Sequence, residues 1–200
     1  MLIKNFRELA LTKERKIVLE ILNSGIKAVL PDYVIRTNVK LEDNVLTIKN
    51  KSYNLNKYKR IFVIGFGKAA YTTAKELEKI LGNRIYKGIV IDIVSKKLNK
   101  IKVLKGSHPI PTINNIKATS EILNVINNLN EKDLVLCLIS GGGSALFESP
   151  LISLNDLQRI NRELQLRGAT IQEINTVRKH VSNCKGGNLA KKIYPAKLVS

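Results

Sequence analysis

The chain has 200 residues, 44% hydrophobic and 25% charged, with 34 lysines and arginines against 16 acids and a formal net charge of +18. That length and apolar content suit one large domain, or one domain and part of another, and exclude a disordered chain. The charge would attract any anion, but the lysines are scattered and aromatic residues make up only 5%, so no nucleic-acid partner is expected.

Between Leu2 and Leu30 charges occur throughout, while Leu9, Ile17, Leu19, Ile21, Leu22 and Ile26 recur at helical spacing. This predicts one amphipathic helix. Nothing near the N-terminus resembles a signal peptide, and no apolar run reaches the ~18 residues of a membrane span. A membrane is therefore not expected as a partner. The two cysteines, Cys137 and Cys184, provide neither a disulfide framework nor metal-ligand spacing, and a cytoplasmic location is expected.

VLTI and SYNL, on either side of Lys49-Asn50-Lys51, read as a β-hairpin. Strands are then expected at 60–65, 87–94, 100–106 and 133–140, with helices at 69–81 and 114–129. SHPIPT (107–112) is a Pro-containing connection. Ser153 opens a further helix that ends near Gly168, and Thr170 with Glu173 forms a capping box for the next. Lys185-Gly186-Gly187 interrupts that pattern, and AKLVS begins one more strand. Strands apolar on both faces and separated by helices predict an α/β fold, doubly wound around a mainly parallel sheet with helices on both faces. Ligands of such folds bind beyond the carboxyl ends of the strands, where two glycine-rich turns stand.

The first turn, Gly65-Phe66-Gly67-Lys68-Ala69-Ala70, matches a dinucleotide fingerprint with Ala70 in its small third position. Asp92 could serve a nicotinamide cofactor's ribose. Lys68 departs from that pattern, because an ammonium at a helix N-terminus is costly without an anion to meet it. It suits phosphoryl transfer, where a protein mainly positions groups and neutralises charge. The second turn, Ser140-Gly141-Gly142-Gly143-Ser144, can aim several N–H groups at one anion. It is neither a Walker A loop nor a nucleophile elbow. In the third segment Asn175, Arg178 and Lys179 share a helix face, followed by Lys185-Gly186-Gly187. Arg178 can grip a carboxylate or phosphate bidentately.

In this order and spacing, GFGKAA, GSHPIPT, LISGGGSAL and NTVRKHVSNCKGG resemble the glycerate 2-kinase family, whose larger relatives carry a C-terminal MOFRL domain. Some relatives have been labelled hydroxypyruvate reductases. The resemblance implies ATP-dependent phosphorylation of D-glycerate to 2-phosphoglycerate, with Mg²⁺ or another divalent cation. It implies a Rossmann-like N-terminal domain spanning residues 1–200, truncated here, and a second α/β domain across an active-site cleft. By the same resemblance Lys68 is the catalytic lysine. Gly65, Gly67 and the Ser140–Ser144 loop hold nucleotide phosphates, and Asn175, Arg178, Lys179, Lys185, Gly186 and Gly187 line the cleft. No metal ligand is identifiable, since an acidic motif of relatives would follow KLVS. The 200 residues alone are expected to be inactive. An NAD(P)-dependent hydroxypyruvate reductase is the alternative, and homo-oligomerisation stays open.

Overall fold

Two apolar runs, RIFVIGF and DLVLCLI, form adjacent central strands, and the rest of the fold covers their two faces. The computed structural model describes residues 2–200. The expected single helix within 2–30 is instead two, α1 (Phe6–Leu9) and α2 (Lys13–Ala28), and a further helix, α3 (Pro31–Asn38), follows it. Local chemistry makes the breaks. Thr12 caps α2 by accepting the Arg15 N–H, and Pro31 occupies the first turn of α3, where its missing N–H costs nothing. The helix α2 contains no buried residue, and Val18 and Ile21 are 63% and 67% exposed.

The expected hairpin is part of a three-stranded antiparallel sheet: β1 (Val39–Glu42), β2 (Val45–Ile48) and β3 (Lys51–Asn54). The strand β1 lies outside the expected hairpin. Its signal was Asp43-Asn44, both at positive φ in the two-residue turn before β2, as a tight hairpin requires.

The main sheet contains β4 (Arg60–Phe66), β5 (Ile85–Asp92), β6 (Ile101–Lys105), β7 (Asp133–Ile139) and β8 (Lys197–Val199). Its order is β6-β5-β4-β7-β8 and every pairing is parallel. Counted within this sheet, the order is third, second, first, fourth, fifth, the Rossmann arrangement. The helix α4 (Ala70–Leu81) and the small sheet cover one face, burying Ile61, Val63, Val90 and Leu136. On the other face α5 (Ile113–Val125) and α9 (Asn188–Ile193) bury Phe62, Ile64, Ile91 and Cys137. This alternation along each strand produces the doubly wound architecture. Three further helices lie beyond β7: α6 (Gly143–Leu146), α7 (Leu154–Leu166) and α8 (Ile171–His180). Ser153 caps α7 and the Thr170–Glu173 capping box starts α8, as expected. The strand β5 begins and ends two residues earlier than its pattern suggested, which makes Asp92 its last residue.

The strands β4 and β7 pair without slippage from Arg60–Asp133 to Phe66–Ile139. The first of these pairs is an ionic lock. Arg60 Nε and Nη2 donate to the two Asp133 carboxylate oxygens at 2.8 and 2.6 Å. The Asn130 N–H adds a third bond at 2.7 Å. Burial pushes the Asp133 carboxyl upward, but the bonds from Arg60 and Asn130 outweigh it and hold the group below its ordinary value. A depressed folded-state pKa contributes stability that is present above the unfolded carboxylate pKa and lost as pH falls through the folded value. Asp133→Asn should therefore cost about 3 kcal/mol at pH 7. The difference from wild type should shrink below about pH 4. Urea unfolding at pH 7 and pH 3.5 measures both, and equal midpoints at pH 7 would refute the lock.

Candidate functional site

The carboxyl ends of β4 and β7 bring the two glycine-rich turns side by side at the point where the strand order reverses. The first turn is closed by the protein itself. The N–H groups of Gly67, Lys68 and Ala69 donate to Ile91 O, Gly141 O and Ser140 Oγ at 3.1, 2.9 and 3.1 Å. The Tyr71 N–H, in the first turn of α4, donates to Asp92 Oδ2 at 2.8 Å. Asp92 is 1% exposed and its other oxygen accepts the Ile93 N–H. A carboxylate so buried and so occupied is turned away from any ribose.

The glycines of this turn are explained by close packing. A Cβ on Gly65 would stand 2.8 Å from Leu138 Cβ, and one on Gly67 would stand 2.1 Å from Ser140 Oγ. At φ +132 the Gly67 backbone is also closed to other residues. What remains outward is the Lys68 side chain, exposed and without an acidic partner among the described residues.

The second turn is open. Ser140 N–H donates to Phe66 O and Gly143 N–H to Ser140 O, whereas the N–H groups of Gly141 and Gly142 meet no acceptor among the described residues. Gly142 has φ +82, and a Cβ there would lie 3.2 Å from Lys68 Cγ and 2.8 Å from His108 Cδ2. Lys68, His108 and the bare loop thus converge, from three motifs far apart in sequence. Gly143 packs on Phe66, whose ring stacks on Phe147 with centroids 4.3 Å apart.

Beside this loop lies a cavity of about 440 Å³ lined by Phe66, Gly143, Ser144, Phe147 and, from α8 and the segment after it, Asn175, Arg178, Lys179, Cys184, Lys185 and Gly186. The helix face predicted from Asn175, Arg178 and Lys179 therefore opens on the glycine loop. Gly187 is outside the lining and supplies the left-handed N-cap of α9, at φ +90. The other histidine, His180, is exposed and bonded through Nδ1 to Thr176 O.

Several residues that shape this site were not singled out in the sequence. Glu148, 3% exposed, pairs with Lys185 and accepts from Ser182 Oγ at 2.9 Å. Lys185 also donates to Phe147 O at 3.0 Å. Its charge is balanced from within, so the cations at the cavity without an acidic partner in direct contact among the described residues are Arg178 and Lys179. Asn161 Oδ1 accepts from Arg178 Nε at 2.7 Å and aims the guanidinium. Burial lowers the affinity of that guanidinium for its proton, against the opposing charge of Glu148. Buried Asn115 accepts from Ser107 N–H and Thr112 N–H and donates to Ser107 O and Ala145 O. It thereby fastens the His108 turn to the helix that follows the glycine loop. The available sequence signals were an acid inside the apolar run ALFES and an Asn three residues after Thr112. Among the described residues, no three His, Cys, Asp or Glu side chains stand together as a metal-binding group.

DUF4147, a domain of unknown function, matches residues 17–200. The chain is 38% identical over 191 residues to a D-glycerate 2-kinase of Thermotoga maritima, covering 93% of this chain and 42% of that protein. A crystal structure of a Pyrococcus horikoshii protein superimposes with a TM-score of 0.82 at 38% identity, over 94% of this chain and 43% of that one. A crystal structure of a Thermotoga maritima glycerate kinase gives 0.77 at 37% identity, over 92% and 42%. The chain thus spans less than half the length of these relatives.

The glycines divide by role, and thermal melts should separate them. Gly67→Ala must displace Ser140 and should lose about 2 kcal/mol or more, a fall in Tm of about 6 °C. Gly141→Ala meets nothing within 4 Å and should stay within about 2 °C of wild type. Equal melting of the two variants would contradict the division.

Proposed function

Because this chain belongs to the DUF4147 family, we propose that it is the N-terminal part of a glycerate 2-kinase, which transfers the γ-phosphoryl group of ATP to the 2-hydroxyl of D-glycerate. The observation that carries this reading is the contrast between the turns. The one resembling a dinucleotide fingerprint has its N–H groups occupied, while the N–H groups of Gly141 and Gly142 have no acceptor among the described residues and Gly142 stands beside the Lys68 side chain. The relatives named as glycerate kinases support the same reaction class.

In the proposed reaction the 2-hydroxyl oxygen attacks the γ-phosphorus and gives up its proton to solvent, the bond from that phosphorus to the β,γ-bridging oxygen breaks, and ADP leaves. Negative charge accumulates on the oxygens of the moving group. Lys68 and the Gly141–Gly142 N–H groups balance that charge from a fixed backbone, so little reorganisation is needed as it develops. Arg178 and Lys179 hold further oxyanions in the cavity alongside, and Asn175 offers an amide to a hydroxyl. Glu148 is committed to Lys185 and Ser182 and is no free base. Among the residues described, Lys68, Arg178 and Lys179 supply positive charge to the reaction. The second domain and the acidic motif of longer relatives belong to the same proposal, across the cleft from these residues.

The reductase alternative needs a ribose-facing acid and open N–H groups at the first turn. Asp92 and Gly67 to Ala69 offer neither.

Incubating the complete protein with D-glycerate and ATP should yield ADP and 2-phosphoglycerate, identified by phosphorus NMR. Lys68→Met should lower kcat/KM by about 100-fold while the fold is retained. Formation of 3-phosphoglycerate, or NAD(P)H-dependent reduction of hydroxypyruvate at a higher rate, would sink the proposal.

A further inference from the structure

A second cavity, of about 700 Å³, adjoins the first through Arg178, which lines both. One wall is the Pro109-Ile110-Pro111 turn and the other is a face of α7 bearing Asn155, Arg159, Arg162 and Gln165. Residues 155, 159 and 162 recur at helical spacing, so their side chains share one face. Gln158 Nε2 donates to Pro111 O at 2.8 Å and holds the two walls in place. No aspartate or glutamate lines the cavity. Elsewhere Arg36, Arg60 and Arg167 are paired with Asp32, Asp133 and Glu163, whereas Arg159 and Arg162 have no acidic partner among the described residues.

Three arginines line one space, Arg159 and Arg162 from the exposed side; like charges there repel, and an oxyanion among them would relieve that repulsion. Guanidinium binds planar oxyanions with two parallel N–H bonds, which suits a carboxylate. The adjoining amides of Asn155 and Gln165 can meet hydroxyl groups, and Pro109, Ile110 and Pro111 offer apolar surface to a short carbon chain. We propose that Arg159 and Arg162, with Arg178, form the subsite for the carboxylate of the hydroxy-acid substrate, next to the phosphate-holding glycine loop. This deepens the glycerate kinase reading and rests on it for the identity of the acid.

Equilibrium binding to the complete protein tests it, with D-glycerate, L-lactate and inorganic pyrophosphate titrated separately. Circular dichroism checks that each variant is folded. The Arg159→Gln/Arg162→Gln double variant should weaken carboxylate binding by about 30-fold and leave pyrophosphate within about 3-fold. The Arg159→Lys/Arg162→Lys variant keeps the charge and should fall between. Lactate binding that depends on both arginines, without D-glycerate binding, would uphold the subsite and remove glycerate as the substrate. D-glycerate binding unaffected by the double variant would overturn the subsite and leave the glycerate reading standing. A double variant that loses pyrophosphate rather than carboxylate would assign the arginines to the nucleotide and overturn the proposal, as would failure to bind any short carboxylate.

Discussion

The lock between Arg60 and Asp133 fixes the register on which the site depends. Strand pairing in a sheet buried on both faces has little to distinguish one apolar residue from the next. A bidentate ion pair at the amino ends of β4 and β7 supplies that distinction. Both strands then run in step to Phe66 and Ile139, and the turns that follow emerge level with each other. A slip of one residue would face Gly67 with a backbone other than Ser140 and would lose the Ala69–Ser140 bond. Positioning at the carboxyl end is therefore set by an interaction at the opposite end of the sheet.

Glycine has two distinct purposes in this structure. In the first turn it allows protein to approach protein, with strand, turn and Ser140 packed too closely for a methyl group. In the second, Gly141 leaves backbone bare, while Gly142 and Gly143 again admit close neighbours, His108 and Phe66. Fingerprints written as letter patterns cannot separate these purposes, because both demand the same residue. The separation appears only when each N–H group is followed to its acceptor. The Asp92 carboxylate makes the same point. An acid near the end of the second Rossmann strand is a cofactor signal in sequence, yet here it binds the N-terminus of α4 and the start of the next loop.

The sheet was legible because its signals are local. Buried parallel strands are continuous apolar runs, and capping residues such as Ser153 and Thr170 act over three positions. The break in the N-terminal helix is hidden in the sequence because helical periodicity continues across Thr12, whose cap overrides it, whereas α3 begins at Pro31, past the end of that periodic run. The segment β1 was missed because its four residues, VKLE, show too short an alternation. Within the site, the shared face of Asn175, Arg178 and Lys179 follows from helix geometry alone. The pairing of Lys185 with Glu148 does not, since it joins residues 37 apart through a fold no local pattern specifies. Arg159 and Arg162 were passed over for a related reason. On a charged amphipathic helix an arginine reads as a solvated residue, and only the wall formed by Pro109 to Pro111 turns its face into a cavity.

Ser140 has one further consequence. Its hydroxyl accepts from the first turn while its own N–H donates to Phe66 O, and Gly141 O accepts from Lys68 N–H. The two turns are thereby stitched into a single rigid unit. The conformational entropy of the Lys68 backbone is lost once, during folding, and is not charged again to each ligand. What an arriving anion must still order is the lysine stem alone, about 2 kcal/mol of rotamer freedom.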